Sequence, residues 1–200
     1  PKLLIGGTYS YNVGISDRRG SASGTVLYQD DAGNDAFPDY EKFGADLMFK
    51  YRGFTLISEY VKGRAHVGDN ITRRVRNDGS VTDNFVIDGE QNVANYVKNR
   101  VMVGSAFNVQ AGYLLPSLWS FDGQYTHIMP EKYSYLNNPA FYDRPNYYTF
   151  GVSKFFSRRY AARIQASATY VQAGATATDN NGMLINGHEW IGRIMFSLGF

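Results

Sequence analysis

The chain of 200 residues contains no cysteine and no long apolar run. Without cysteine it forms neither disulfides nor thiolate metal sites. No apolar run approaches the roughly 20 residues of a membrane-spanning helix, so a chain that crosses a membrane would have to cross it as strands. Because phosphate loops, nucleotide fingerprints and paired zinc ligands are also missing, we predict no catalytic residues, no metal site and no cofactor.

The sequence begins at Pro1 with neither an initiator methionine nor a secretory leader. We therefore expect a mature product or a fragment of something longer. The net charge of +2 is too small to indicate a nucleic-acid partner.

Aromatic residues make up 16% of the chain, with 16 tyrosines and 13 phenylalanines, yet the mean hydropathy is only −0.35. A buried globular core would use more Leu and Ile and fewer Tyr. A membrane barrel instead places aromatic side chains at its two interfaces and polar groups inside. The composition favours the barrel.

The last eleven residues alternate strictly between two kinds of side chain. Trp190, Ile194, Phe196 and Phe200 share one parity, and Arg193 falls on the other. Successive side chains of a strand point to opposite faces, so this segment has one aromatic face and one mostly small or polar face. A terminal strand that ends on an aromatic residue is typical of bacterial outer-membrane barrels.

Similar alternation predicts about eight strands. They are expected over residues 2–13, 41–51, 54–67, 101–115, 118–129, 146–156, 160–172 and 188–200. Their connections alternate between two or three residues (52–53, 116–117, 157–159) and long polar links (14–40, 68–100, 130–145, 173–187). Short turns on one rim and long loops on the other are typical of outer-membrane barrels. We therefore predict an all-β protein, a transmembrane antiparallel β-barrel, with residues 1–200 as one barrel segment that is incomplete.

The two parities of these strands differ in charge. The parity predicted to face lipid contains Leu3, Ile5, Tyr9, Tyr11, Phe43, Ala45, Leu47, Phe49, Tyr51, Phe54, Leu56, Tyr60, Phe107, Val109, Ala111, Tyr113, Leu115, Trp119, Phe121, Tyr125, Tyr148, Phe150, Val152, Phe156, Tyr160, Ala162, Ile164, Ala166, Ala168 and Tyr170. A Lys or Arg at the bilayer midplane costs about 2 to 4 kcal/mol, so charges are expected on the other, wet side. Lys154 breaks the pattern near the short-turn rim, where its stem could reach the interface.

The predicted pore-lining residues are Lys42, Asp46, Lys50, Glu59, Gln110, Asp122, Gln124, Arg163 and Arg193. Together with Lys2, the cations among them would form a strip that attracts anions. The alternative is that these cations only neutralise the carboxylates across the lumen.

The link 68–100 also contains a basic cluster, Arg73, Arg74 and Arg76. It could fold inward as a basic constriction of the pore. Because acidic residues share the segment, a solvated outer loop is favoured over a constriction.

Two segments resemble a known family. Residues 107–116, FNVQAGYLLP, and residues 148–156, YTFGVSKFF, are similar to the C-terminal part of the phosphate-selective porin O and P family. The resemblance implies a 16-stranded trimeric porin of which this chain is roughly the C-terminal half. It also implies passive passage of small anions or polar solutes, and an outer membrane with its lipid and lipopolysaccharide as surroundings. The evenly spaced inward arginines of that family are absent here, so phosphate selectivity does not follow.

Other interpretations remain open. The strands could close by themselves into a small barrel, although inward glycines and serines would fill it poorly. Such a barrel could act as a structural, adhesin or assembly-partner protein through its long extracellular loops. A barrel enzyme would need a triad around His66, His127 or His188, for which rim histidines are the simpler account. A soluble all-β binding protein is the last alternative.

Overall fold

The structure is a computed structural model that describes residues 1–15, 25–76, 78–137, 143–157, 162–179, 181–185 and 187–199. The predicted strand ends at Tyr160 and Phe200 lie outside these residues. The strands are β1 (Lys2–Asn12), β2 (Thr25–Gln29), β3 (Asp39–Tyr51), β4 (Phe54–His66), β5 (Arg73–Arg76), β6 (Val81–Thr82), β7 (Val86–Ile87), β8 (Glu90–Gln91), β9 (Gly104–Leu114), β10 (Trp119–Pro130), β11 (Asn146–Phe155), β12 (Ala162–Gln172) and β13 (His188–Leu198). One α-helix, α1, spans Val93–Lys98, and a 3₁₀ turn spans Tyr135–Asn137. The all-β prediction is confirmed.

Eight of the strands form one antiparallel sheet in the order β1-β3-β4-β9-β10-β11-β12-β13. These are the eight predicted strands, with ends that differ by up to three residues. Within the described residues β1 pairs only with β3, and β13 pairs only with β12, so the sheet does not close on itself.

Tight turns join the strands at one rim of this sheet. The β3–β4 hairpin turns on Arg52 (φ 46°) and Gly53 (φ 86°), the two positive φ values that a type I′ turn requires. The β9–β10 hairpin closes through Leu118, whose amide donates to the Leu115 carbonyl at 2.9 Å. The long links all leave from the opposite rim, so the predicted alternation of short and long connections is confirmed.

The register keeps the two parities apart across the whole sheet. Residues directly opposite each other in antiparallel strands share a face, and Val109, Tyr125, Tyr148, Tyr170 and Trp190 lie on one such line. Following every pair in this way places all the predicted lipid-facing residues within the eight strands on one side, here called the apolar face. All nine predicted pore-lining residues lie on the other side, here called the polar face.

The two faces also differ in crowding. A Cβ placed on Gly112, on the polar face, would lie 3.2 Å from the Asp122 carboxyl carbon, and one on Gly6 would lie 2.8 Å from that of Asp46. On the apolar face, a Cβ on Gly123 or Gly192 would meet no heavy atom within 4 Å. The polar-face glycines therefore leave room for carboxylates of the neighbouring strand.

This difference in crowding predicts that replacing a glycine by valine has different effects on stability at Gly112 of β9 and at Gly123 of β10, two strands that pair with each other. Gly112→Val should destabilise the fold by about 1 kcal/mol, because the Asp122 carboxylate has to turn away and loses the hydrogen bond from the Ser120 hydroxyl. Gly123→Val should be neutral or stabilising, since valine suits a strand and meets open space. Urea unfolding followed by circular dichroism measures both, and equal losses for the two variants would contradict the assignment of crowded and open faces.

The long links fold into a separate small core. Tyr28, Ile71, Phe85, Tyr96 and Val97 are buried together, and the links also form one sheet from β2, β5 and β6 and another from β7 and β8. The α1 helix is capped by Asn92, whose side chain accepts from the Asn95 amide at 2.9 Å. The link over residues 68–100 is therefore partly packed, because its scattered apolar residues meet those of the 14–40 link. The preference for a solvated outer loop around its arginines stays a prediction, and Arg73 and Arg76 are exposed. None of the described helices is long and apolar enough to cross a membrane.

Candidate functional site: a two-faced wall

The polar face holds charged groups spread over six strands. Its cations are Lys2, Lys42, Lys50, Arg163 and Arg193, and its carboxylates are Asp46, Glu59, Asp122 and Glu189. The face is not uniformly polar, since Leu4, Met48, Ile57, Val61, Ile128, Ile191 and Met195 share it. The register therefore assembles the predicted set on one surface, while its role as a pore lining stays a prediction.

Glu189 is engaged by a residue that the sequence analysis did not single out. Arg144, just before β11, donates from Nε and Nη2 to its two carboxylate oxygens at 2.7 and 2.8 Å. These hydrogen bonds hold the pKa of the Arg144 guanidinium above its usual value. Among the described residues, the five cations of the polar face make no ion pair with Asp46, Glu59 or Asp122. Among the four carboxylates of this face, only Glu189 is therefore paired with a cation in the described residues, and that cation is Arg144, which is not one of the five predicted ones.

Loss of the two hydrogen bonds from the Arg144 guanidinium to Glu189 should weaken the attachment of the link 131–145 to β13. Arg144→Gln removes a bidentate charged hydrogen bond, and because Glu189 is partly exposed we expect a loss of only about 1 kcal/mol. Arg144→Lys is the matched control and should recover part of it, since lysine keeps the charge but not the fork. Thermal unfolding of the three proteins measures this, and identical midpoints would show that the pair contributes nothing.

Neutral groups at the centre of the polar face form a hydrogen-bonded chain. Asn108 donates from Nδ2 to Glu59 Oε2 at 3.3 Å. Its Oδ1 accepts from Gln124 Nε2 at 2.9 Å and from the Thr126 hydroxyl at 3.1 Å. Asp46 lies directly opposite Glu59 on the neighbouring strand. This arrangement presents carboxylate and amide oxygens to whatever fills the space above the face, and that chemistry suits water and polar solutes.

The apolar face is uncovered. Ile5 is 75% exposed, Trp190 71%, Ile194 71%, Phe196 74% and Phe150 60%, values far above those of a protein core. No described element packs over these side chains, because the long links form their own core. An apolar surface of this extent indicates contact with a membrane or another protein.

Aromatic rings gather in two bands on this face. Towards the long-link rim they are Tyr9, Phe43, Tyr60, Phe107, Tyr125, Tyr148, Tyr170 and Trp190, with ring centroids 4.9 Å apart for Tyr125 and Tyr148 and 5.1 Å apart for Tyr170 and Trp190. Towards the short-turn rim they are Phe49, Tyr51, Phe54, Tyr113, Trp119, Phe121 and Phe196. These sets are here called the upper and lower aromatic bands.

The upper band does not follow one line of the register. Tyr9 pairs with Phe43, but Tyr60 and Phe107 lie on the line of Gly7, two residues nearer the short-turn rim. Tyr125 lies a further two residues along, on the line of Ile5. A band at constant height that crosses tilted strands has to step along the register in this way.

The three histidines lie at the upper band, on the apolar face. His66 Nε2 lies 2.9 Å from Glu41 Oε2, His127 Nδ1 lies 2.7 Å from Asn146 Oδ1, and His188 Nδ1 lies 2.6 Å from the Tyr170 hydroxyl oxygen. Each is occupied by a different strand neighbour, so the described residues do not bring them together. No group of three potential metal ligands occurs in the described parts of the chain.

The basic cluster of the long link lies on β5, which pairs with β2 and β6. Arg73 and Arg76 are exposed, and Arg74 is half-buried. The Arg74 guanidinium donates to the Tyr96 hydroxyl, and its central carbon lies 4.7 Å from the centre of the Tyr96 ring. The structure therefore places Arg74 against the small core of the links and leaves Arg73 and Arg76 exposed, and none of the three belongs to the eight-stranded sheet that holds the other nine residues. A constriction formed by these arginines stays a prediction.

Several charged residues on the apolar face were missed by the sequence analysis. Lys62 and Arg64 lie opposite Phe43 and Glu41 at the long-link end of β4. The alternation of β4 could have shown them, since they continue the parity of Tyr60 by two and four residues. Lys154, which was noticed, donates from Nζ to the Ser117 carbonyl at 2.7 Å and lies over the Trp119 ring. Its charge thus reaches the short-turn rim.

Comparison of the chain with protein-family models, with curated proteins and with solved structures finds no match, so no family is shown for it.

Proposed function

We propose that this chain forms part of the wall of a bacterial outer-membrane porin, with the apolar face against lipid and the polar face against a water-filled channel. The observation that supports it best is the register, which carries one exposed and mostly apolar face across all eight strands. Hydrocarbon is the environment in which such a surface is stable, and the charges on the other face require water.

The aromatic bands support the same orientation. Their rings would lie at the two membrane interfaces, and the stepped course of the upper band fits strands that tilt across a bilayer. The short turns would then face the periplasm and the long links the outside.

The open edges of the sheet bear on the size of the channel. β1 and β13 each offer an unpaired backbone edge among the described residues, and backbone groups in a bilayer have to be paired. We propose that further strands complete the barrel, as in a 16-stranded porin of the type that the sequence resembles. Direct pairing of β1 with β13 is the alternative, and it would give a small barrel.

Adjacent residues of β13 provide the test of the membrane assignment. Spin labels at Phe196 and Ser197, on opposite faces, should report oxygen at the first position and a water-soluble nickel chelate at the second. Equal accessibility at both positions would refute a lipid-facing wall. Detergent extraction and heat-modifiable gel migration give an independent check.

Channel activity needs its own measurement. The full-length protein, with the strands that complete the barrel, should show steady single-channel openings in planar bilayers, which a filled small barrel would not show. Absence of conductance from a correctly inserted protein would reject the porin proposal, but it would not contradict the proposal that the apolar face contacts lipid.

A second function, adhesion or partner binding by the outer links, is favoured by one observation. These links have a packed core that includes Phe85 at 0% and Val97 at 1% exposure, which a mere connection does not need. Binding of a protein ligand by a protein without conductance would support this function over the porin.

A further inference from the structure

The long-link end of the β1–β3–β4 region differs from the rest of the apolar face because it is charged. Lys62 and Arg64 point to the same side as Tyr9 and Phe43, and Lys62 lies directly opposite Phe43 in the register. Charged groups on a lipid-facing surface are costly unless they reach an interface or a partner. Two cations at neighbouring positions on one face therefore need an explanation.

These residues line an open groove together with Glu41. Its volume is about 230 Å³, roughly eight times the ~30 Å³ that one water molecule takes in the liquid. A phosphate group with its first ester substituent fits such a space. The groove has an aromatic side formed by Tyr9 and Phe43 and a cationic side formed by Lys62 and Arg64.

Among the described residues, the carboxylate in the groove contacts a histidine and forms an ion pair with neither cation of the groove. Glu41 Oε2 lies 2.9 Å from His66 Nε2. In the described part of the chain, no ion pair reaches Lys62 or Arg64, and Arg64 is exposed. The two cations are therefore available to an external anion.

Below the groove, the apolar face continues towards the short-turn rim. Ile5 and Leu3 on β1 and Leu47 and Phe49 on β3 follow Tyr9 and Phe43 on the same side. A ligand with its anion in the groove would lay any attached acyl chains over these side chains. Free phosphate would leave the apolar part unused.

We propose that this groove binds the phosphate of a phosphorylated, multiply acylated glycolipid, the class to which lipopolysaccharide belongs. This inference rests on the proposed orientation of the wall, with the long links outside. Arginine and lysine supply charge-assisted hydrogen bonds to phosphate oxygens, and the aromatic rings contact the sugar and upper chain. The site deepens the proposed function by assigning a lipid partner to one part of the outer rim.

The experiment compares three forms of the full chain purified in maltoside detergent. The probe is lipid A with both phosphates, and its binding is measured by native mass spectrometry. The double variant Lys62→Gln with Arg64→Gln should bind at least tenfold more weakly than the parent. Arg52→Gln with Lys154→Gln is the matched control, since it also removes two positive charges but at the short-turn rim, and it should change binding less than twofold.

Two further probes separate the sources of binding. Dephosphorylated lipid A should bind the parent as weakly as lipid A binds the double variant, and inorganic phosphate at millimolar concentration should not displace lipid A. Equal losses in the Arg52→Gln and Lys154→Gln control, undiminished binding of the dephosphorylated lipid, or displacement by phosphate would each overturn the proposal. A protein partner in the groove instead of a lipid would appear as a retained chain in the same spectra and would also overturn it.

The spin-label pair at Phe196 and Ser197 separates a failure of the proposed lipid site from a failure of the proposed membrane wall. Opposite accessibility there with no lipid A binding would reject the groove alone. Equal accessibility would reject the wall, and the groove with it.

Discussion

Replacing Ala168 by arginine should prevent stable assembly of the protein in a membrane. Ala168 lies in β12 on the apolar face, between Phe150 and Gly192 on the neighbouring strands and between the two aromatic bands. Ala168 lies two residues from Tyr170 of the upper band and four from the level of Phe196 in the lower band, so it is inside the proposed apolar zone, where an arginine costs about 2–4 kcal/mol at most. That loss is a large part of the stability of a typical domain.

The control is the next residue along the chain. Thr169 lies on the polar face, where its hydroxyl oxygen is 2.8 Å from that of Thr149. Thr169→Arg gives up that hydrogen bond, about 1 kcal/mol, but points the charge into water. The heat-modifiable folded fraction should therefore fall steeply for Ala168→Arg and little for Thr169→Arg. Equal losses of the folded fraction in both variants would contradict the proposal that hydrocarbon contacts only one face of the sheet.

The strands and their faces could be predicted because both depend on local rules. Alternation with period two fixes the face of each side chain, and Arg52-Gly53 specifies a tight hairpin through its positive φ values. The three tight turns limit the register within their own strand pairs, and the apolar parity of each remaining strand indicates which of its sides joins the same face. This is why residues as distant as Lys42 and Arg193 were assigned to the same face from sequence alone.

The core of the long links could not be predicted in that way. Tyr28 and Phe85 stack with ring centroids 6.4 Å apart, but 57 positions and several strands separate them in the chain. Neither belongs to a periodic segment, so only the folded backbone brings them together. The same holds for Arg74 and Arg100, which approach the Tyr96 ring from two different parts of one link.

The groove of β4 was missed for a different reason. The alternation was followed on β4 only as far as Tyr60, where apolar residues stop. Lys62 and Arg64 continue the same parity, and their placement beside Tyr9 and Phe43 comes from the register of three strands. A charged residue at a position whose parity matches the apolar face is the sequence signal that could have identified them.

Reversal of two charges on the polar face should reverse the ion preference of the channel. Five cations there face Asp46, Glu59 and Asp122, because Glu189 is held by Arg144. These eight groups give a surplus of two positive charges, so the parent should prefer anions in a salt gradient. Replacing Arg163 and Arg193 by glutamate changes that surplus to two negative charges, and the reversal potential should change sign.

The control for this double variant changes the net charge of the protein by the same amount but places the two substitutions on the other face. Lys62→Glu with Lys154→Glu alters two cations that lie on the apolar side. The field inside a low-dielectric channel depends on the charges that line it, whereas charges outside act through lipid interfaces and screening salt. The control should therefore keep the parent's anion preference and its conductance. Cation preference in the parent would show that the three carboxylates dominate the passage, and an equal change in both variants would show that ions do not pass along the polar face.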